Sequence, residues 1–211
     1  MKTKHYAVIT ADLVNSTQFE VETTQNWLNG LIDLLLSDQS FTWTLVPEIF
    51  RGDSFQAVLE NYEEAMRVAL LCRAYIRSQK IDDTEIDIRI AIGIGGIKKL
   101  TDRPGTSDGE AFRLSGHLAD QIKNQNARIG IHFNSERIEM EIINALLETL
   151  IENWTTAQSE IICKLMLRKT FTEIAEELDI SQSAVSQRAK SAKWWVVEQL
   201  LKTLPILLSK K

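Results

Sequence analysis

The sequence predicts an α+β fold, a βαββαβαβ region over residues 1–133 followed by an all-α, helix-turn-helix region, and three observations predict it. Apolar residues alternate between periods of about 2 and 3.6 up to residue 133 and keep only the helical period after it. Charge divides in the same direction: residues 151–211 hold nine Lys/Arg against seven Asp/Glu, a net +2, whereas residues 1–150 carry −7. The segment TFTEIAEELDISQSAVSQRAKSAKW then spaces its small, turn and apolar residues as two short helices crossing at a tight joint.

Tyr6 to Thr10 (YAVIT) is a run of strand formers. Asn15-Ser16-Thr17 offers helix caps before a helical pattern reaching about Leu36. Phe41 to Phe50 and Ser54 to Leu59, split by Arg51-Gly52-Asp53, form a hairpin. Asn61 to Ser78 is an amphipathic helix. Ile86 to Ile94 alternates as a strand, Leu100 to Asp108 is loop, Glu110 to Lys123 is a helix and Arg128 to Phe133 a last strand. Gly93, Gly95 and Gly96 suggest a strand bulge and exit. The first six elements form a split βαβ unit, the ferredoxin-like arrangement, with one αβ appended. Right-handed crossovers place the first strand centrally beside the third, which brings Asp12 close to Asp53.

Beyond Asn134 the pattern is helical throughout. Ser135 to about Asn153 forms a connector or dimer helix (134–153), and residues 154–211 form a separate domain. Thr155 and Gln158 have capping-box spacing. In the following segment Ala175 is the small residue where two helices cross, and Asp179 takes the left-handed turn. Ser181 or Ser183 caps the second helix. That helix would present Ser181, Gln182, Ser183, Ser186 and Gln187 to base edges of double-stranded DNA. Arg188, Lys190 and Lys193 would lie near phosphates.

Composition excludes several classes. With 44% hydrophobic and 25% charged residues, 9 Gly and 3 Pro, the chain is neither disordered nor collagen-like. No apolar run reaches the roughly 18–20 residues of a membrane span, and no secretory segment follows Met1, so a cytoplasmic protein without membrane contact is expected. Cys72 and Cys163 lie far apart in the sequence, in apolar helical patterns, and imply neither a disulfide framework nor a zinc site.

At the amino-terminal end, Asp12 and Asp53 form a carboxylate pair suited to Mg²⁺, which takes one or two carboxylates plus phosphate oxygens and water. Asn15, Ser16 and Thr17, entering a helix N-terminus, are candidate phosphate contacts, as are Arg51 and Arg113. The ligand expected is a nucleotide or related phosphorylated molecule.

The motifs Ile9-Thr10-Ala11-Asp12-Leu13-Val14-Asn15-Ser16-Thr17 and Arg51-Gly52-Asp53-Ser54-Phe55 resemble the metal-carboxylate motifs of class III nucleotidyl cyclase homology domains. Arg89 to Gly95 (RIAIGIG) and Ser107 to Phe112 (SDGEAF) are similar to that family's following segments. With a carboxy-terminal helix-turn-helix, which resembles sigma-factor region 4 and response-regulator output domains over residues 154–195, the combination resembles the bacterial SatD family. Where the resemblance puts the Asn and Arg of active cyclases, this chain has Arg113 and His117. Where it puts the purine-selecting Lys, there is Pro47 or Glu48. It therefore implies metal-nucleotide binding without efficient cyclisation.

The reading that follows is a homodimeric transcriptional regulator with a degenerate cyclase-like sensor. The alternatives are a metal-dependent nucleotidyl cyclase or phosphotransfer enzyme acting on nucleoside triphosphates, and a plain interaction module.

Overall fold

The computed structural model describes residues 4–81, 84–133 and 138–209. In chain order the elements are β1 (Tyr6–Val14), α1 (Val21–Ser37), β2 (Trp43–Phe50), β3 (Ser54–Leu59), α2 (Ala65–Ser78), the short β4 (Lys80–Ile81) and β5 (Thr84–Glu85), and β6 (Asp87–Gly95). They continue with the short β7 (Ile97–Lys99) and β8 (Asp108–Gly109), α3 (Glu110–Asn124), β9 (Ile129–Phe133), α4 (Ile138–Ile151), α5 (Thr156–Met166), α6 (Phe171–Glu177), α7 (Gln182–Ser191) and α8 (Trp194–Ser209). The main sheet has five strands in the order β2-β3-β1-β6-β9. It is mixed, antiparallel except where β9 runs parallel to β6. β1 is flanked by β3 and β6, with Asp12 opposite Ser54 on one side and Arg89 on the other.

Side-chain alternation along β1 explains the layers. Ala7, Ile9, Ala11 and Leu13 face α1 and α2 and share a core with Leu28, Leu31 and Leu35. Val8 and the polar Thr10 and Asp12 lie on the opposite face, where α3 packs through Ala111, Leu118 and Ile122. Gly93 and Gly95 are continuous with β6 and do not form the bulge the sequence suggested: the pairing of β6 with β1 is unbroken. They are small because α3 lies directly on them. A Cβ at Gly93 would come within 2.3 Å of the Ala111 carbonyl oxygen.

The α1–α2 core continues into the carboxy-terminal helices. Met140, Leu147 and Ile151 of α4, Ile162, Cys163 and Met166 of α5, and Val197, Leu204 and Leu208 of α8 all belong to it. Three arginines of α2 reinforce this junction by donating to carbonyls at the last residues of α4 and α5 and in the link between them. Arg73 Nη1 reaches Ile151 O at 2.6 Å, Arg67 Nη2 reaches Met166 O at 3.1 Å, and Arg77 reaches Trp154 O. A smaller apolar cluster of Ile161, Leu165, Ile174, Ala175, Val185 and Ala189 joins α5, α6 and α7. The predicted caps form: Thr155 with Gln158 makes a reciprocal capping box, and Ser181 accepts from the Ala184 N–H; a second box, Thr170 with Glu173, opens α6 and was not anticipated. Asp179 adopts the left-handed turn at φ 50°.

The connector pattern begins at residue 135, and its first residues lie outside the described residues; the described helix is α4. Among the described residues no helix is long and apolar enough to cross a membrane.

Candidate functional site

An open cleft of about 310 Å³ lies at the end of β1, between the β2–β3 turn and the last turns of α3. Thr10, Asp12, Arg51, Asp53, Asp120 and Lys123 line it. The local chemistry explains why Asp12 and Asp53 meet. Arg51 and Gly52 both take left-handed φ, 57° and 82°, and turn the chain sharply between β2 and β3. Glycine bears that conformation freely, but Arg51 does not, which makes it a point of strain held by its surroundings. The Ser54 hydroxyl donates to Phe50 O at 2.8 Å across the turn, and the Leu13 N–H donates to Asp53 O at 2.9 Å. The turn is thereby tied to the end of β1.

Both carboxylates are partly engaged. Arg89 Nη2 donates to Asp12 Oδ2 at 2.7 Å and Arg89 Nε to the same oxygen at 3.1 Å; Oδ1 is 3.4 Å from Nε. The Ser16 hydroxyl donates to Asp53 Oδ2 at 2.7 Å. Each aspartate thus keeps its Oδ1 less committed than its Oδ2. Below them Gln56 donates to Thr10, which shares a hydrogen bond with the buried Ser115 of α3. This network fixes α3 to the sheet beneath the cleft.

The remaining predicted residues are distributed unevenly. Asn15 stands in a left-handed turn at φ 57°, and Ser16 and Thr17 belong to a three-residue 3-10 turn. α1 begins only at Val21, so the helix N-terminus expected beside Asn15–Thr17 is not there. An Asn-Ser-Thr run suits tight turns as well as helix caps, and here the turn prevails. Arg113 is exposed on α3 and pairs with Asp108 at 2.9 Å. His117 is exposed on the same helix, and Glu48 pairs with Arg103. Sequence reasoning missed Arg89, Asp120 and Lys123. The one available signal was the i, i+3 spacing of Asp120 and Lys123 on the last turns of a helix.

The donor set fits a hard divalent cation shared with phosphate oxygens, because two carboxylate ligands suffice when the substrate supplies the rest. Among the described residues no group of three His, Cys, Asp or Glu side chains is placed to hold a metal by itself. Cysteine chemistry is remote from the cleft. α2 and α5 pack together with Cys72 and Cys163 buried and free. Burial pushes both thiols up, Cys163 to about 12, so neither is a thiolate near neutral pH.

Fold and cleft together define an α+β protein with a mixed sheet and a carboxylate-bearing cleft at its strand ends. The SatD family model matches residues 6–200, and the chain belongs to the SatD family. No curated protein matches it. Among solved structures it is similar to the active GGEEF domain of a diguanylate cyclase from Vibrio cholerae, at 18% identity and TM-score 0.46, over 64% of this chain and 85% of that one. It is also similar to a bacterial light-regulated adenylyl cyclase (13% identity, TM-score 0.45, 62% of this chain and 43% of that one). A third is an adenylate/guanylate cyclase/hydrolase from Silicibacter pomeroyi (22%, TM-score 0.44, 57% and 71%).

The expectation of a DNA-binding transcriptional regulator is corrected. The solved structures named above are cyclases, and nothing in the comparisons points to DNA binding or transcription. The physical setting differs from that expectation as well. The helices flanking α6 and α7 are built into the core shared with α2. Gln182 Nε2 donates to Thr172 at 2.6 Å, and the Ser181 and Ser183 hydroxyls bond each other at 2.8 Å. Of the groups expected to read bases, these three have partners within the chain, and Ser186 and Gln187 are exposed on α7.

Proposed function

We propose that this chain is an enzyme of the nucleotidyl-transfer or phosphotransfer class, acting on a nucleoside triphosphate at the Asp12–Asp53 cleft with Mg²⁺ or Mn²⁺. One observation carries the reading: two strand-end carboxylates and the cations Arg51 and Lys123 line the same open cleft, with Arg89 on Asp12. A triphosphate needs that polarity, carboxylates for its cation and guanidinium or ammonium groups for its oxygens. The bound cation would neutralise phosphate charge and polarise a phosphoryl oxygen as a Lewis acid. Asp12 and Asp53 would hold it, the Ser16 hydroxyl fixes the orientation of Asp53, and Arg89, seated on Asp12, would offer its guanidinium to phosphate oxygens. The motif resemblance supports the same chemistry. The departures at Arg113 and His117 remove side chains that would stabilise the transition state, so turnover is slow, by roughly 10²–10³-fold for each missing group. In form, α6 and α7 are a helix-turn-helix, a reading supported by Ala175 at their contact and Asp179 in the turn.

The test is incubation with ATP or GTP and Mg²⁺ or Mn²⁺, following pyrophosphate and phosphate, beside calorimetric titration of the same nucleotides. Metal-dependent release that falls roughly 10²-fold in Asp12→Asn and Asp53→Asn supports the reading. The absence of both product and nucleotide binding overturns it.

A further inference from the structure

The outer face of α4 and the groove at its carboxy-terminal end fit one another. Ile138, Ile142 and Leu146 are spaced one turn apart and are 72%, 55% and 67% exposed. An apolar ridge left this open marks an interaction surface. From Leu146 onward the ridge gives way to a groove of about 490 Å³ between α4, the start of α5 and the α7–α8 turn, where Leu150, Trp154 and Lys193 are among the lining residues. Ridge and groove thus occupy opposite halves of one helix face. Charge is divided in the same way: the exposed Glu139 stands beside the ridge, and the exposed Lys193 stands at the groove.

We propose that two copies of this chain pair through α4, antiparallel about a two-fold axis near Leu146. An isologous contact requires each surface to carry both a feature and its complement, and a ridge with an acid at one end and a groove with a base at the other meet that requirement. With a helical rise of about 1.5 Å per residue, an axis at Leu146 sets Ile142 opposite Leu150 of the other copy. Ile138 then meets the rim of Trp154, and Glu139 approaches Lys193. A partner of another kind would have no reason to match ridge and groove at equal distances from Leu146. The pairing is independent of the nucleotide chemistry proposed above and stands or falls without it.

Sedimentation equilibrium on the full chain tests it. The wild type is expected to dimerise, and Ile142→Asp to weaken the dimer by roughly 100-fold or more through loss of a buried apolar contact and burial of a charge. Its circular dichroism should be unchanged, because Ile142 faces solvent within one copy, and its melting temperature should lose the dependence on protein concentration that the dimer confers. Glu139→Lys and Lys193→Glu should each weaken association, and the double variant should restore it, since the swapped pair meets again across the axis. A wild type that stays monomeric at high concentration overturns the proposal and leaves the groove to another occupant. A dimer indifferent to Ile142→Asp places the contact on another face, and failure of the double swap to rescue rules out the antiparallel register.

Discussion

Arg89 holds Asp12 across adjacent antiparallel strands, with Nη2 2.7 Å from Oδ2, beside the cleft that joins strand-end carboxylates to basic side chains. The pair makes the electrostatics of the site conditional. Asp12 has its counter-charge from the protein; a bound cation would compete for that carboxylate and leave the guanidinium available to an anionic phosphate. Removing Arg89 therefore acts in opposite directions on two ligands. Arg89→Ala should tighten Mn²⁺ binding to the nucleotide-free protein and weaken binding of the triphosphate, each by roughly tenfold. Paramagnetic titration of Mn²⁺ and calorimetry of the nucleotide read the two effects separately, and a fall in both affinities would remove Arg89 from the proposed role.

Lys123 enters the cleft from the last turn of α3, opposite the β2–β3 turn. An exposed ammonium at the rim would bind substrate and transition state alike. Lys123→Ala is expected to raise KM for the nucleotide roughly tenfold and leave kcat nearly unchanged, the pattern of uniform binding. Steady-state kinetics decide it, and a drop in kcat at constant KM would move Lys123 into the chemical step.

Away from the cleft, Asp87 neutralises two arginines that join the sheet to the carboxy-terminal helices. Its carboxylate accepts from Arg73 Nε and Nη2 and from Arg128 Nε, all at 3.0 Å. Burial pushes the Asp87 carboxyl up, but the hydrogen bonds and charge of Arg73, with the Ile88 N–H and the charge of Arg77, outweigh it and hold the group below the usual carboxylate range. A depressed folded pKa means that this stabilisation is complete at neutral pH and is lost as pH falls through the folded value. Asp87→Asn should cost about 3 kcal/mol at pH 7, because it leaves Arg73 buried without its charge partner. The difference from wild type should begin to shrink below about pH 4, where the unfolded chain takes up the proton, and close as pH falls through the lower folded value. Urea denaturation at a series of pH values measures this, and a pH-independent difference would assign the loss to packing.

The parts of the fold that sequence reveals are those governed by local rules. Period-2 and period-3.6 runs located β1, β2, β3, β6 and β9 and the helices between them, and a short-range spacing announced both the Thr155 cap and the Asp179 turn. The meeting of Asp12 with Asp53 followed from topology, because a first strand beside the third leaves little choice. Asn15–Thr17 misled because the same three side chains satisfy a turn or a helix start equally well. Arg89 and Lys123 were hidden for another reason: their partners are 77 residues away for the Asp12 pair and on a different layer for the cleft. The clamping by Arg67, Arg73 and Arg77 was likewise invisible, since it depends on helices from the far end of the chain arriving beside α2.

Gly93 lies directly beneath α3, the helix that carries Asp120 and Lys123 to the cleft. β6 pairs without interruption through this residue, so its role is steric. A Cβ there would lie 2.3 Å from Ala111 O and 2.4 Å from Ser115 N, both backbone atoms of α3, and no rotamer change can relieve such contacts. α3 would have to lift from the sheet, stretching the Thr10–Ser115 hydrogen bond of 3.0 Å and carrying Asp120 and Lys123 away from Asp12. Gly93→Ala should therefore destabilise the fold by about 2 kcal/mol or more, as overpacking does. Nucleotide affinity should fall along with it. Gly105→Ala is the matched control, because a Cβ at Gly105 meets nothing within 4 Å. Thermal unfolding and nucleotide titration of both variants separate the cases: equal behaviour would mean that α3 does not rest on Gly93, and lost stability with unchanged affinity would detach the cleft from this contact.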